Sequence, residues 1–270
     1  MHPIEHLRYV ARAQGADPTS LVEETAHALG SLHFDPSGLV VACRRIVERH
    51  PFTGALWWLC ANVVTSAEPF ETVWELADEI RSDPTGAELA SVIPDEAVVV
   101  TIGDPDVIGD GLIRRGDVRV LALDAGFTAT SFVRRMERHD VDAEPVDAGI
   151  AGAAVRAADV VLVEALAIDS ERVVLPIGSS TIAAAASAFG TEAWVVAGVG
   201  RRLPSGFLDA MAAKVDASSA DTDPWDLDVE VLPTSLFTHV VGPHGKVPMG
   251  PPAIVAECPM AHELLRPSHI

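Results

Sequence analysis

The hydrophobic positions of this chain change their period once, near residue 93. Up to that point apolar residues recur three and four apart, the spacing of one helix face. Leu21, Val22, Thr25 and Leu29 form a first stripe, and Leu39, Val40, Cys43, Ile46 and Val47 a second, closed by Pro51. Leu56, Leu59, Cys60 and Val63 make a third, and Phe70, Val73, Trp74, Ala77 and Ile80 a fourth. Asp17-Pro18 and Asp35-Pro36 each set a capping carboxylate ahead of a proline at the first helical position, where its missing N–H costs nothing. The pattern predicts a helical domain over residues 1–92, a bundle of four or five helices.

Beyond Pro94 short Val-rich runs take over, at Ala97 to Ile102, Val118 to Leu123, Asp159 to Val163 and Ala193 to Ala197. Their continuous apolar character, alternating with helix-length segments, predicts a mostly parallel sheet covered on both faces. Crossover helices are expected over residues 107–115, 128–139, 148–157, 180–189 and 207–215, and the polar stretch 217–226 reads as a surface loop. The fold class is therefore α/β, with a helical bundle followed by a Rossmann-like domain over residues 93–270.

Composition narrows the partners. At 270 residues and 49% hydrophobic content the chain can bury a substantial core. No apolar run reaches the roughly 20 residues of a membrane span. The opening MHPIEHLRYV lacks the basic-then-apolar pattern of a secretory signal, and Cys43, Cys60 and Cys258 are too scattered for a disulfide framework. A cytoplasmic protein is expected. The net charge of −20, with Lys214 and Lys246 as the sole lysines, speaks against nucleic acid. The pairs Arg44-Arg45, Arg114-Arg115, Arg134-Arg135 and Arg201-Arg202 read as solvated faces or small anion contacts. Arg in place of Lys, with abundant Ala, Asp and Val, fits either a GC-rich genome or a salt-adapted surface.

Candidate chemistry gathers at strand ends, where open α/β sheets bind their ligands. Gly103-Asp104-Pro105-Asp106 follows the first strand, so Asp104 and Asp106 are candidates for a general base, a hydroxyl acceptor or a metal ligand. The alternative is a turn whose Asp106 caps the next helix. Asp124 and Glu164 stand after the second and third strands; if all converge, the pocket is acidic and repels phosphate unless a metal or Arg balances it. Gly178-Ser179-Ser180-Thr181 opens an Ala-rich helix, either as a plain cap or as an anion site on exposed N–H groups. Gly198-Val199-Gly200 lacks the rest of a dinucleotide fingerprint and reads as a turn. His2 with His6, and Cys258 with His262, have helical spacing but no zinc partners and read as terminal surface residues. His239 and His244 flank a Gly-Pro turn, Cys60 reads as core, and neither a nucleophile elbow nor a Walker loop occurs.

Glu164-Ala165-Leu166-Ala167-Ile168 followed by Leu175-Pro176-Ile177-Gly178-Ser179 resembles, in spacing and apolar frame, a signature of the initiation factor 2B α/β/δ subunit family. That family includes the methylthioribose-1-phosphate and ribose-1,5-bisphosphate isomerases. In those isomerases the matching stretches read Gly-Ala-Asp-x-Ile and Asn-Lys-x-Gly-Thr. The segment VEVLPTSLFTHVVGPHG (229–245) is similar to the family's closing strand-turn-strand, and residues 98–101 occupy the place of its Thr-x-Cys-Asn. The resemblance sets the catalytic cysteine at about Gly103, the aspartate at Leu166 and the Asn-Lys pair at Leu175-Pro176. Ala122-Leu123-Asp124-Ala125 replaces a Glu-x-Arg-Pro pattern. Leucine cannot carry the proton that aldose–ketose conversion moves. The resemblance thus implies a divergent, non-isomerase member, binding a phosphorylated small molecule or a protein partner, dimeric through its α/β domain, with no cofactor or metal. The alternative is an enzyme acting on a sugar phosphate through Asp104, Asp106, Asp124 or Glu164. A CoA-transferase-like reaction would rest on Glu164 alone.

Overall fold

The computed structural model describes residues 18–31, 38–124 and 128–266; His2, His6, Asp17, Asp35, Pro36 and Ala125 lie outside them. Helices α1 (Pro18–Gly30), α2 (Leu39–Arg49), α3 (Gly54–Thr65) and α4 (Pro69–Arg81) come first. Their stripes face inward: Leu21, Val22 and Leu29 of α1, Cys43, Ile46 and Val47 of α2, and Val73, Ala77 and Ile80 of α4 are buried. Helix α3 is apolar almost all round, and every residue from Gly54 to Ala61 is buried, as expected of a helix at the centre of its neighbours. Trp57 still satisfies its indole N–H, which donates to the Pro51 carbonyl at 2.9 Å. No described helix is long and apolar enough to cross a membrane.

A short fifth helix, α5 (Thr85–Val92), then leads into the sheet. Its eight residues are too few to show a period, and it buries Leu89 against the next helix rather than in the first core. The strands are β1 (Val98–Ile102), β2 (Arg119–Leu123), β3 (Asp142–Val146), β4 (Val160–Glu164), β5 (Ala167–Ile168), β6 (Arg172–Pro176), β7 (Glu192–Val196), β8 (Val229–Pro233), β9 (His239–Gly242) and β10 (Gly245–Pro248). Seven of them form one sheet in the order β10-β9-β7-β4-β1-β2-β3. All its neighbours run parallel except the β9–β10 hairpin. Strand β3 reads DAEPV and escapes pattern reading because it is an edge strand, largely exposed.

Helices α6 (Asp106–Arg115) and α7 (Ala129–Glu137) cover one face with α5, and α8 (Ala151–Ala157) and α9 (Ser179–Phe189) cover the other. A second sheet, β5-β6-β8, is antiparallel. It divides its side chains between two cores: Ala167, Val174 and Val229 face the helical bundle, while Ile168, Val173 and Leu175 face the large sheet. Helix α10 (Ser205–Asp221) adds Phe207, Leu208 and Met211 to the bundle core. It overturns the loop expected at 217–226 over residues 217–221. Polarity alone does not end an exposed helix, and ASSAD contains no breaker, so the helix runs to Asp221 before Pro224.

Candidate functional site

The strand order reverses at β1. Strands β2 and β3 lie to one side, β4, β7 and β9 to the other, so a crevice is expected outside the carboxyl ends of β1 and β4. Gly103 makes the exit from β1. It sits at φ +73° and its N–H donates to the Leu123 carbonyl at 3.0 Å.

Asp104 and Asp106 share one arginine. Arg135 of α7 reaches Asp104 Oδ1 through Nη2 and Asp106 Oδ1 through Nη1, both at 3.1 Å. The same guanidinium donates to the Pro105 carbonyl at 2.6 Å and lies over the Phe132 ring. Asp104 also accepts from the Ser131 hydroxyl at 2.7 Å. The DPD turn is therefore clamped to α7.

The remaining carboxylates meet helix N-termini. Glu164 Oε2 accepts the Ile108 N–H at 3.1 Å, with Val107 N–H as a further donor, both in the first turn of α6. Asp124 Oδ1 accepts from Ala129 N–H at 3.2 Å, where α7 starts. At the start of α9, Ser180 N–H donates to Glu230 Oε1 of β8 at 2.8 Å. Ser179 is fully buried and returns its hydroxyl to the Pro176 carbonyl at 2.7 Å, while Thr181 is exposed. Gly178 opens that helix beside β1, with Ile102 Cδ1 only 3.0 Å from where a Cβ would stand. The structure thus gathers Asp104, Asp106 and Glu164 around the start of α6, with Gly178 across Ile102. Asp124 is directed to α7, one strand away.

Two residues that strand-end reasoning passed over lie in the same place. Arg201, just past β7, is 4% exposed, and its Nη1 has no hydrogen-bond partner; the Thr101 hydroxyl of β1 is buried in the same state. Burial pushes the Glu164 carboxyl up to about 7, opposed by the Arg201 charge and the helix N–H groups and reinforced by Asp106. The Arg201-Arg202 pair is therefore not a solvated face: Arg202 is paired at 3.2 Å with Glu257 and nearly covered. Position after a strand, the signal used for the acids, applied equally to these arginines.

The other candidates are structural. Cys258 is buried, not a surface residue, because the segment after β10 folds back over the core; burial pushes its thiol up to about 12. Cys60 is core, its thiol raised by contact with Cys43 and by burial. Gly198 to Gly200 form a turn whose Val199 N–H donates to Asp83 at 2.9 Å. His244 is exposed, and His239 lies edge-on to Trp194. No cluster of three or more His, Cys, Asp or Glu fit to hold a metal occurs among the described residues.

No family model and no curated protein matches the chain. Solved structures do. Translation initiation factor eIF-2B of Pyrococcus horikoshii OT3 aligns with a TM-score of 0.76 at 16% identity, over 94% of this chain and 98% of that one. The eIF2B delta subunit of Chaetomium thermophilum gives 0.66 at 18% identity, over 89% and 96%. A chain of the tetrameric eIF2B-beta2-delta2 complex from C. thermophilum gives 0.72 at 12% identity, over 93% and 91%. At such identities the likeness is one of architecture: the chain carries the initiation factor 2B subunit fold over nearly its whole length.

Proposed function

We propose that this chain is a catalytically silent, cytoplasmic protein of the initiation factor 2B-like fold that works by assembling with protein chains, in the first place with copies of itself. One observation carries the reading: at the strand-end crevice the helix starts and Arg135 are already taken by carboxylates of the chain itself, and Arg201 is faced by Glu164. Glu164, Asp124 and Glu230 occupy the starts of α6, α7 and α9. Arg135, next to Asp104 and Asp106, is spent on both. A phosphate drawn to these helix starts or to Arg135 would have to displace a bonded carboxylate, against the field of a chain with net charge −20. In this reading Asp104, Asp106 and Asp124 are internal stand-ins for an anion, Glu164 closes the start of α6 as an acceptor, and Gly178 to Thr181 are a helix start.

The positions that the resemblance assigns to isomerase residues support the same view. Leu166 packs against the helical-bundle core and Leu175 is fully buried, so both places are apolar by construction. Assembly has support from the similar structure described as a tetrameric beta2-delta2 complex. Light scattering at micromolar concentration should give at least twice the chain mass of 28.5 kDa; a strict monomer would contradict self-assembly.

A second reading has one observation in its favour. A carboxyl titrating at about 7 beside a buried arginine is what a general base needs. NMR of sugar phosphates incubated with the protein separates the two. We expect no aldose–ketose conversion. Conversion abolished by Glu164→Gln would establish the enzyme instead.

A further inference from the structure

Helices α8 and α9 lie side by side on one face of the large sheet. The Thr191 hydroxyl, just past α9, donates to the Val155 carbonyl of α8 at 3.2 Å. The Phe189 ring lies beside Gly152, 3.9 Å from where a Cβ would stand. Their inward side chains, Val155 and Ile182 among them, are buried against the strands. What they turn outward is apolar as well. Ala153, Ala157, Ala184 and Ala188 are exposed, Phe189 is 49% exposed, and Ile150, in the short turn that leads into α8, is 59% exposed. A helix on the outside of a protein normally sets charged and polar residues on its outer face. In this chain, 21% charged, residues 148–158 hold one charge, Arg156, and residues 177–191 hold none.

Charge and shape together select what covers such a face. Two copies of a chain with net charge −20 repel one another, so they can touch where no acid is set against another. A partner recruited by its lysines and arginines would find nothing here to pair with. Interfaces between identical chains are also more apolar than those of proteins that meet and part. The surface carries both halves of a self-complementary contact: Ile150 and Phe189 project, while Gly152 and the outward alanines leave shallow gaps. A two-fold axis sets each copy's projections over the other's gaps, and side chains this small let helices approach to about 8–10 Å.

We propose that self-assembly, the reading on which this inference rests, runs through this face: two copies meet about a two-fold axis, α8 and α9 of each packed on those of the other. The contact is apolar and free of ion pairs, so it strengthens as salt screens the repulsion between the two acidic chains.

Sedimentation velocity of the whole chain tests this, with Ile150→Asp and Phe189→Asp as interface variants and Val41→Asp, at an exposed valine of α2 in the helical bundle, as the control. Each interface variant brings two added carboxylates to the contact and should weaken association at least about tenfold. Both positions are exposed, so their circular dichroism spectra should match the wild type. Val41→Asp should associate as the wild type does. Raising sodium chloride from about 50 to about 500 mM should strengthen wild-type association, a readout that needs no substitution. A wild type monomeric at every concentration and salt would sink self-assembly itself. A wild-type dimer that both interface variants leave intact, that Val41→Asp breaks equally well, or that salt dissociates would keep self-assembly and overturn this face.

Discussion

The environment of Glu164 works against its charge. Folded, its carboxyl titrates at about 7, against an ordinary value of 4.5. Between those pH values the folded state holds a proton that the unfolded chain has lost. The stability this adds is complete below about pH 4.5 and disappears as pH rises through 7, amounting to about 3 kcal/mol. Glu257, raised chiefly by burial, pulls in the same direction. Urea unfolding at pH 5 and pH 8 should show the wild type less stable at the higher pH. Glu164→Gln keeps an acceptor for Ile108 N–H without the charge, so its slope should be shallower and its stability at pH 8 at least that of the wild type. A variant clearly weaker than wild type at pH 8 would mean that the carboxylate form is the one the fold uses.

Gly103 bears on the proposed absence of isomerase chemistry. Its φ of +73° lies in the left-handed region, where a side chain costs about 1–2 kcal/mol. Gly103→Cys combined with Leu166→Asp writes the isomerase residue types back at their places by resemblance. The cysteine would be strained, and the carboxylate would enter the apolar surface that Leu166 shares with the helical bundle. Thermal unfolding should show a marked loss of stability, and an NMR turnover assay no aldose–ketose conversion. Turnover by the double variant would show that the site had been two substitutions from activity.

Helix starts are where the elements decide function. A short helix beginning at a strand end offers unpaired N–H groups and a positive dipole end, an anion site by default. Here Glu230 takes the start of α9 from a strand 50 residues later in the chain, and Glu164 takes that of α6 from 56 residues later. Glu230→Ala should cost about 0.5–2 kcal/mol and uncover a site. Phosphate should then raise the melting temperature of the variant more than that of the wild type. Equal effects on both would mean that α9 never offered an anion site.

This long reach explains what was legible beforehand. Strands β1, β2, β4 and β7 announce themselves as Val-rich runs because both faces of each are buried, and α1 to α4 show their buried stripes directly. Position after a strand picked out Asp104, Asp106, Asp124 and Glu164. Local sequence holds no trace of their partners, since Arg135, Arg201 and the α6 backbone arrive only when the sheet forms. Exposed β3, eight-residue α5 and the polar end of α10 were hidden for the opposite reason: no burial pattern marks them.

At the scale of the whole molecule the bundle and the sheet domain are joined through the small β5-β6-β8 sheet, which lends side chains to both cores. Gly200 shows how tight the adjoining contact is: at φ +76° it lies against the Trp58 ring, whose atoms would be 3.0 Å from a Cβ there. Such a frame, with its helix starts closed by its own acids, suits a protein that presents a fixed surface to other chains. The most direct test is thermal unfolding of the purified chain with sugar phosphates and nucleoside monophosphates, with and without magnesium. A ligand at about 100 times its dissociation constant adds roughly 2.7 kcal/mol, a rise of several degrees for a chain this size. None of these phosphates should move the melting temperature; a saturable rise of several degrees with any of them would mean that the crevice takes an external anion.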